Sequence, residues 1–255
     1  MEKINSLITN WPKGTIALTS HLNRAGLQND LLHKYTRSRW LESVGNGAYK
    51  LNQDKVGWEG AVYALQKQAG FSMHPGGKTA LELKGLAHYA SQGESTVNLF
   101  GPAEELLPRW FMSQEWSRQV KYVRTNLFDY KSLSGYSAYE TKGIEITISS
   151  AELAMLEMLY MVPKYNSFDE AYLIMEGLTT LRSRLLQRLL EECRSIKVKR
   201  LFLYMAEKSG HSWFNELQTG KLDLGTGKRL IVKSGRLNHK YNITVPKEYE
   251  EQQIF

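Results

Sequence analysis

The sequence predicts an α+β protein in two parts, a small helical module with a hairpin followed by a larger mixed α/β domain. Three observations carry that expectation. Residues 1–51 read as three short helices, a brief strand and a glycine-tipped hairpin. Strand-like and helix-like stretches then alternate through most of the remaining chain. With 255 residues, the chain is long enough for two hydrophobic cores.

The first helix is expected over Met1–Thr9, where Ile4, Leu7 and Ile8 share one face at i, i+3, i+4. Trp11-Pro12 ends it, because proline lacks an amide donor and restricts the residue before it. Gly14–Leu18 is short and apolar, suited to pairing with the later hairpin. Thr19 and Ser20 are natural N-caps for a helix over Ser20–Ala25, which Gly26 closes in the left-handed conformation. Asn29 or Asp30 is expected to cap a third helix, Gln28–Arg39, with Leu31, Leu32 and Tyr35 inward. The hairpin Trp40–Leu51 turns at Gly45-Asn46-Gly47, where glycine supplies the positive φ a tight tip requires. Helix, strand, two helices and a hairpin, in that order, make a winged helix-turn-helix. We place this module at residues 1–53 and the second domain at 54–255.

That order has a chemical reading. The third helix turns Gln28, His33, Lys34, Arg37 and Ser38 outward. Amide and basic side chains suit base edges in a major groove, and Lys or Arg at the helix end suits phosphates. Gln28, Asn29, His33 and Lys34 are therefore the expected groove contacts, Arg37 and Arg39 the expected phosphate contacts. Asn46 and Lys50 belong to the wing, and Arg24 reaches the backbone from the second helix. The alternative use of such a module is docking a protein partner without sequence-specific DNA binding.

The charge distribution favours the first use. The net charge is +7, but it is unevenly spread. Residues 1–55 hold 8 Lys/Arg against 4 Asp/Glu, residues 56–180 hold 10 against 14, and residues 181–245 hold 14 against 5. Basic ends folded close together would form one footprint for a phosphate backbone. No apolar run approaches a membrane span, no secretory leader is evident, and Cys193 is the only cysteine. A cytoplasmic protein without disulfides is expected, with Cys193 packed in a helix.

In the second domain, helices are expected over Val56–Gln68 and Lys78–Lys84, then strands over Thr96–Phe100, Gln119–Arg124 and Ile144–Ile148. Ser149-Ser150-Ala151-Glu152 has the form of a capping box, and Ser167-Phe168-Asp169-Glu170 repeats it. Further helices are expected over Leu181–Cys193 and Lys197–Ser209, with short strands at Arg229–Val232 and Asn242–Val245.

Catalytic patterns are weak. Gly76-Gly77-Lys78-Thr79 has the end of a phosphate loop, but Ser72 stands where its first glycine belongs. Glu82-Leu83-Lys84 has the spacing of metal-dependent nucleases, yet it reads as helical and lacks a second acid nearby. A nuclease using Glu82 and Lys84 is the least supported alternative. The six histidines show no helical zinc spacing. The expectation is a non-enzyme with no cofactor and no metal.

Several motifs together resemble one family. Trp11-Pro12-Lys13-Gly14-Thr15, Ser38-Arg39-Trp40-Leu41-Glu42 and Gly45-Asn46-Gly47-Ala48-Tyr49 are similar to the N-terminal domain of AbiE-type antitoxins (AbiEi). Gly76–Leu83, Ser149–Glu152, Met175-Glu176-Gly177-Leu178, Val198–Leu203 and Gly227-Lys228-Arg229 resemble its second domain. The similarity spans roughly residues 3–246. It implies a bacterial type IV antitoxin whose winged helix binds inverted repeats in its own promoter and represses it, with the third-helix face, the wing and the basic stretch Lys197, Lys199 and Arg200, as distal contacts, on the DNA. It also implies a nucleotidyltransferase-type toxin of the AbiEii kind as the partner it counters, with no stable complex required.

Overall fold

The computed structural model describes residues 7–87 and 96–251. Ile4 and the start of the expected first helix lie outside them, as does His88; residues 7–10 are helical. The chain then forms β1 (Ala17–Leu18), α1 (Thr19–Arg24), α2 (Asn29–Arg37), β2 (Leu41–Gly45) and β3 (Ala48–Leu51). The strands pair antiparallel in the order β1-β3-β2, the sheet of a winged helix. Trp11, Ala17, Leu22, Leu27, Leu32 and Leu41 bury together beneath the two helices. Between α1 and α2 the chain reverses at Gly26, whose φ of +84° needs a residue without Cβ.

Two expected caps differ. Leu18 precedes α1 and Gln28 precedes α2, neither with a side-chain cap. Thr19 instead donates its amide to the Gly47 carbonyl at 2.9 Å, so strand pairing replaces the cap. Asn29 and Asp30 stand one and two residues inside α2, where Asp30 still suits the positive helix end.

The second part begins with α3 (Trp58–Ala69), β4 (His74–Pro75), α4 (Gly77–Leu83), β5 (Val97–Pro102) and α5 (Arg109–Met112). Next come β6 (Val120–Thr125), the hairpin β7 (Tyr136–Thr141) and β8 (Ile144–Ser149), and α6 (Ala151–Met161). Helices α7 (Phe168–Gly177), α8 (Ser183–Glu192) and α9 (Ile196–Ser209) follow. The chain closes with β9 (Arg229–Leu230), β10 (Arg236–Asn238), β11 (Ile243–Val245) and α10 (Lys247–Glu251). In the sheet β4-β5-β6, β5 and β6 run parallel; in β10-β11-β9, β9 runs parallel to β11. Helix α6 is buried on almost every side, packed among α4, α8 and α9. Its cap is Ser150, which accepts the Leu153 amide, because Ser149 turns inward to Glu157. Ser167 caps α7 through the Glu170 amide, as its motif predicts.

The winged module and the second part share a core. Ile16, Leu18 and Ala48 pack with Trp58, Val62 and Leu65 of α3 and with Ile144, Ile146 and Ile148 of β8. Polar contacts reinforce that joint. The Gln68 side chain accepts the Leu18 amide at 2.8 Å and donates to the Ile16 carbonyl at 2.9 Å, pairing with β1 as a strand would. Asp54 accepts the Gly14 amide at 2.7 Å. A Cβ on Gly60 would stand 1.8 Å from the Gly14 carbonyl oxygen, so α3 touches the β1 approach backbone to backbone.

Candidate nucleic-acid interface

Helix α2 buries Leu32 fully and Leu31 and Tyr35 in part, which turns the opposite face to solvent. Asp30, His33, Lys34 and Arg37 lie along that face at i, i+3, i+4 and i+7, and with Ser38 they line an open depression. Gln28 and Asn29 are exposed at its N-terminal end. The Ser38 hydroxyl donates to the Lys34 carbonyl at 2.8 Å, closing the last turn. Arg39 follows in left-handed backbone with φ +58°, which directs the chain into β2 and leaves its side chain exposed. The structure thus gathers six of the expected contacts, Gln28, Asn29, His33, Lys34, Arg37 and Arg39, at one helix. It also adds Asp30, a charge the sequence reading left out of the face.

The wing is short. Asn46-Gly47 is a two-residue turn between Gly45 and Ala48, and of these two residues Asn46 is the exposed one. Gly47, at φ +81°, returns its carbonyl to Thr19, so the tip ends level with β1. The second domain holds it from the other side. A Cβ on Gly45 would come 2.7 Å from the Cβ of Trp110, and Gln114 donates to the Val44 carbonyl at 3.0 Å.

Lys50 is not a wing contact. It shares the sheet face of Ala48, towards the second domain, and bonds the Glu42 carboxylate and the Asp54 carbonyl, both at 3.2 Å. Arg24 is a tether rather than a free backbone contact, donating to Gln68 O at 2.8 Å at the end of α3.

The distal contacts are corrected as well. Arg200 is 2% exposed, and its guanidinium donates to the carbonyls of Leu224, Gly225, Gly227 and Asn242. Lys199 is buried with its ammonium on Asp223 O, and Lys197 donates to Tyr160 O and Val162 O. These cations hold loops together, their charged groups taken up by backbone carbonyls. Two further cations of this segment are ion-paired, Arg182 with Glu152 and Lys240 with Glu207, whereas Arg184, Arg194, Lys228 and Lys233 are exposed. The segment packs in the core of α6–α9, whereas the winged module packs in the two other cores, so the basic ends do not merge through a common core.

The two weak catalytic patterns also resolve. Over the Gly76-Gly77 turn the Glu157 carboxylate takes the place a phosphate would need, accepting the Gly77 amide at 3.0 Å, the Ser149 hydroxyl at 2.7 Å and bonding His74 at 2.9 Å. A Cβ on Gly76 would stand 2.2 Å from Glu157 Oε2, so glycine there serves this internal contact. Glu82 pairs with Arg118 at 3.0 Å, and Lys84 bonds the Ser137 hydroxyl at 2.6 Å, burial lowering its pKa. Glu82 is thus neutralised by a cation instead of facing a second acid. Among the described residues no group of three acidic, His or Cys side chains is placed to hold a metal ion. Nor is any helix among them long and apolar enough to cross a membrane. Cys193 is packed, and burial pushes its thiol up to about 11.

Comparison with known proteins gives a consistent picture. The model of a family described as "Transcriptional regulator, AbiEi antitoxin, Type IV TA system" matches residues 94–246. A second, described as "Transcriptional regulator, AbiEi antitoxin N-terminal domain", matches residues 1–92. The crystal structure of the RV2827C protein from Mycobacterium tuberculosis is similar in fold, with a TM-score of 0.59 and 11% identity. That similarity covers 94% of this chain and 89% of the other. No curated protein sequence matches significantly.

Proposed function

Because the chain belongs to the AbiEi antitoxin family, transcriptional regulators of type IV toxin–antitoxin systems, we propose that it represses its own promoter by laying α2 into the major groove of inverted repeats. The observation that carries this reading is the exposed α2 face, where His33, Lys34 and Arg37 line one open depression on a module otherwise fixed to the second domain. Lys34 reads bases together with Gln28, Asn29 and His33, while Arg37 and Arg39 sit on flanking phosphates and Asn46 touches the sugar–phosphate chain from the short wing. The protein acts by binding, without catalysis, in the cytoplasm. Through its second domain it counters a nucleotidyltransferase-type toxin encoded beside it.

A mobility shift with DNA from upstream of the gene tests the first half. The full chain should retard the inverted-repeat fragment and not a scrambled one, and Lys34→Ala should change the ranking of operator variants. Equal retardation of both fragments would remove sequence-specific repression. Growth rescue on co-expression with the neighbouring toxin tests the second half.

A further inference from the structure

Two cations, a histidine and one acid share the outward face of α2. Asp30 lines the same open depression as His33, Lys34, Arg37 and Ser38. A carboxylate is costly on a surface that meets DNA, because the phosphates of any duplex repel it. Nor is its charge cancelled within the fold. Asp30 is exposed, and among the described residues no side chain bonds it, although His33 and Lys34 follow at i+3 and i+4.

The place of Asp30 along the helix adds a second observation. It is the second residue of α2, inside the first turn. In helix-turn-helix proteins the N-terminal residues of the recognition helix touch base edges. A side chain as short as aspartate needs that close approach. The positive helix end favours an acid in the first turn, but an acid on any side of the turn would satisfy it. This one stands in line with Lys34 and Arg37, at i+4 and i+7.

Base chemistry narrows what Asp30 can accept. In the major groove the donors are the N4 amino group of cytosine and the N6 amino group of adenine. Adenine sets its N7 acceptor beside N6, which opposes a second carboxylate oxygen. Cytosine presents N4 alone. In a C·G pair the guanine acceptors O6 and N7 lie next to that amino group. Lys34, one turn further along the same face, is the donor that suits them.

We propose that Asp30 makes the protein selective for a cytosine in its operator, accepting from N4 while Lys34 donates to the paired guanine. The inference rests on α2 being the groove helix. It gives the acid two opposite effects, attraction to one base pair and repulsion from DNA that lacks it.

Fluorescence anisotropy of the full chain tests this, with labelled inverted-repeat DNA from upstream of the gene and a scrambled duplex. Further duplexes replace each C·G pair of the repeat, in both half-sites, by A·T. One such replacement should weaken the unaltered chain about tenfold and leave Asp30→Ala unaffected, while other positions keep their effects. Asp30→Ala should also bind the scrambled duplex about threefold more tightly, the repulsion being gone. Asp30→Asn should prefer A·T at that one position, because an amide matches adenine N6 and N7 together. Asp30 is exposed, so neither change disturbs the core. Equal binding of repeat and scrambled DNA by the unaltered chain would overturn both the groove reading of α2 and this inference. Discrimination by the unaltered chain that Asp30→Ala retains at every position would overturn this inference alone.

Discussion

Glu157 Oε2 lies 3.0 Å from the amide of Gly77, so a side chain of the protein's own buried helix fills the anion seat of its glycine turn. The same carboxylate bonds His74 and Ser149, and it is fully buried. Replacing it leaves the Gly77 amide and the Ser149 hydroxyl without an acceptor and His74 Nε2 without its partner. Glu157→Ala should cost about 3–5 kcal/mol, as when one partner of a buried pair is removed. Urea unfolding measures this, and a loss under 1 kcal/mol would show the network to be incidental.

Arg37 and Arg200 separate surface charge from buried charge. Arg37→Ala should reduce the slope of log K against log salt for operator DNA by about 0.9, one phosphate contact. Arg200→Ala should leave that slope unchanged and lower the melting temperature, because four carbonyls lose their donor. A salt titration on both variants decides it, and a reduced slope with Arg200→Ala would return that residue to the DNA surface.

Gln68 predicts how firmly the reader is held. Gln68→Ala removes the bonds to Leu18 of β1 and to Ile16 just before it and should cost roughly 1–3 kcal/mol. Gln68→Glu keeps the acceptor for Leu18 but loses the donor to Ile16, and should be nearly as damaging. Hydrogen exchange at the Leu18 amide should accelerate in the Ala variant more than exchange in α6. Uniform acceleration would instead mean that the module and the second domain unfold together.

Glu152 gives a pH signature. Burial pushes its pKa up, but the bonds from the Arg182 side chain and amide outweigh that and bring it to about 2, from an ordinary value of 4.5. A depressed folded pKa stabilises the protein above the unfolded value, and that stability is lost as pH falls through the folded one. Between about pH 4.5 and 2, on the order of 2–3 kcal/mol should disappear. Arg182→Ala should flatten this part of the acid profile, measured by chemical unfolding at successive pH values. A profile identical to that of the unaltered chain would refute the assignment.

The winged module was readable because its apolar spacing and turn residues are local. Leu31, Leu32 and Tyr35 against His33, Lys34 and Arg37 settle the orientation of α2 from nine residues of sequence. Strand β7 was missed: its residues Tyr136–Thr141 mix Ser, Ala, Tyr and Glu without clean alternation, and only the turn at Lys142-Gly143 announces it. Basic residues were the other weakness. Charge counting treats Lys50, Lys197, Lys199 and Arg200 as solvated, whereas neighbouring groups claim Lys50 and carbonyls distant in sequence claim the other three. The position of Arg200 amid Val198, Leu201 and Phe202 was a hint of burial. The loop that receives it, at residues 224–227, carries no motif that marks it as a guanidinium socket.

The contact of Gly60 with the Gly14 carbonyl bears on what could be transplanted. A hybrid joined after residue 53 would carry the recognition helix but leave Ile16, Leu18 and Ala48 without their cover. It would also depend on the new host supplying a residue at position 60 without a Cβ. Moving the operator preference of this protein onto another scaffold therefore calls for a junction beyond α3, so that Gly60 and Gln68 travel with the helix they support.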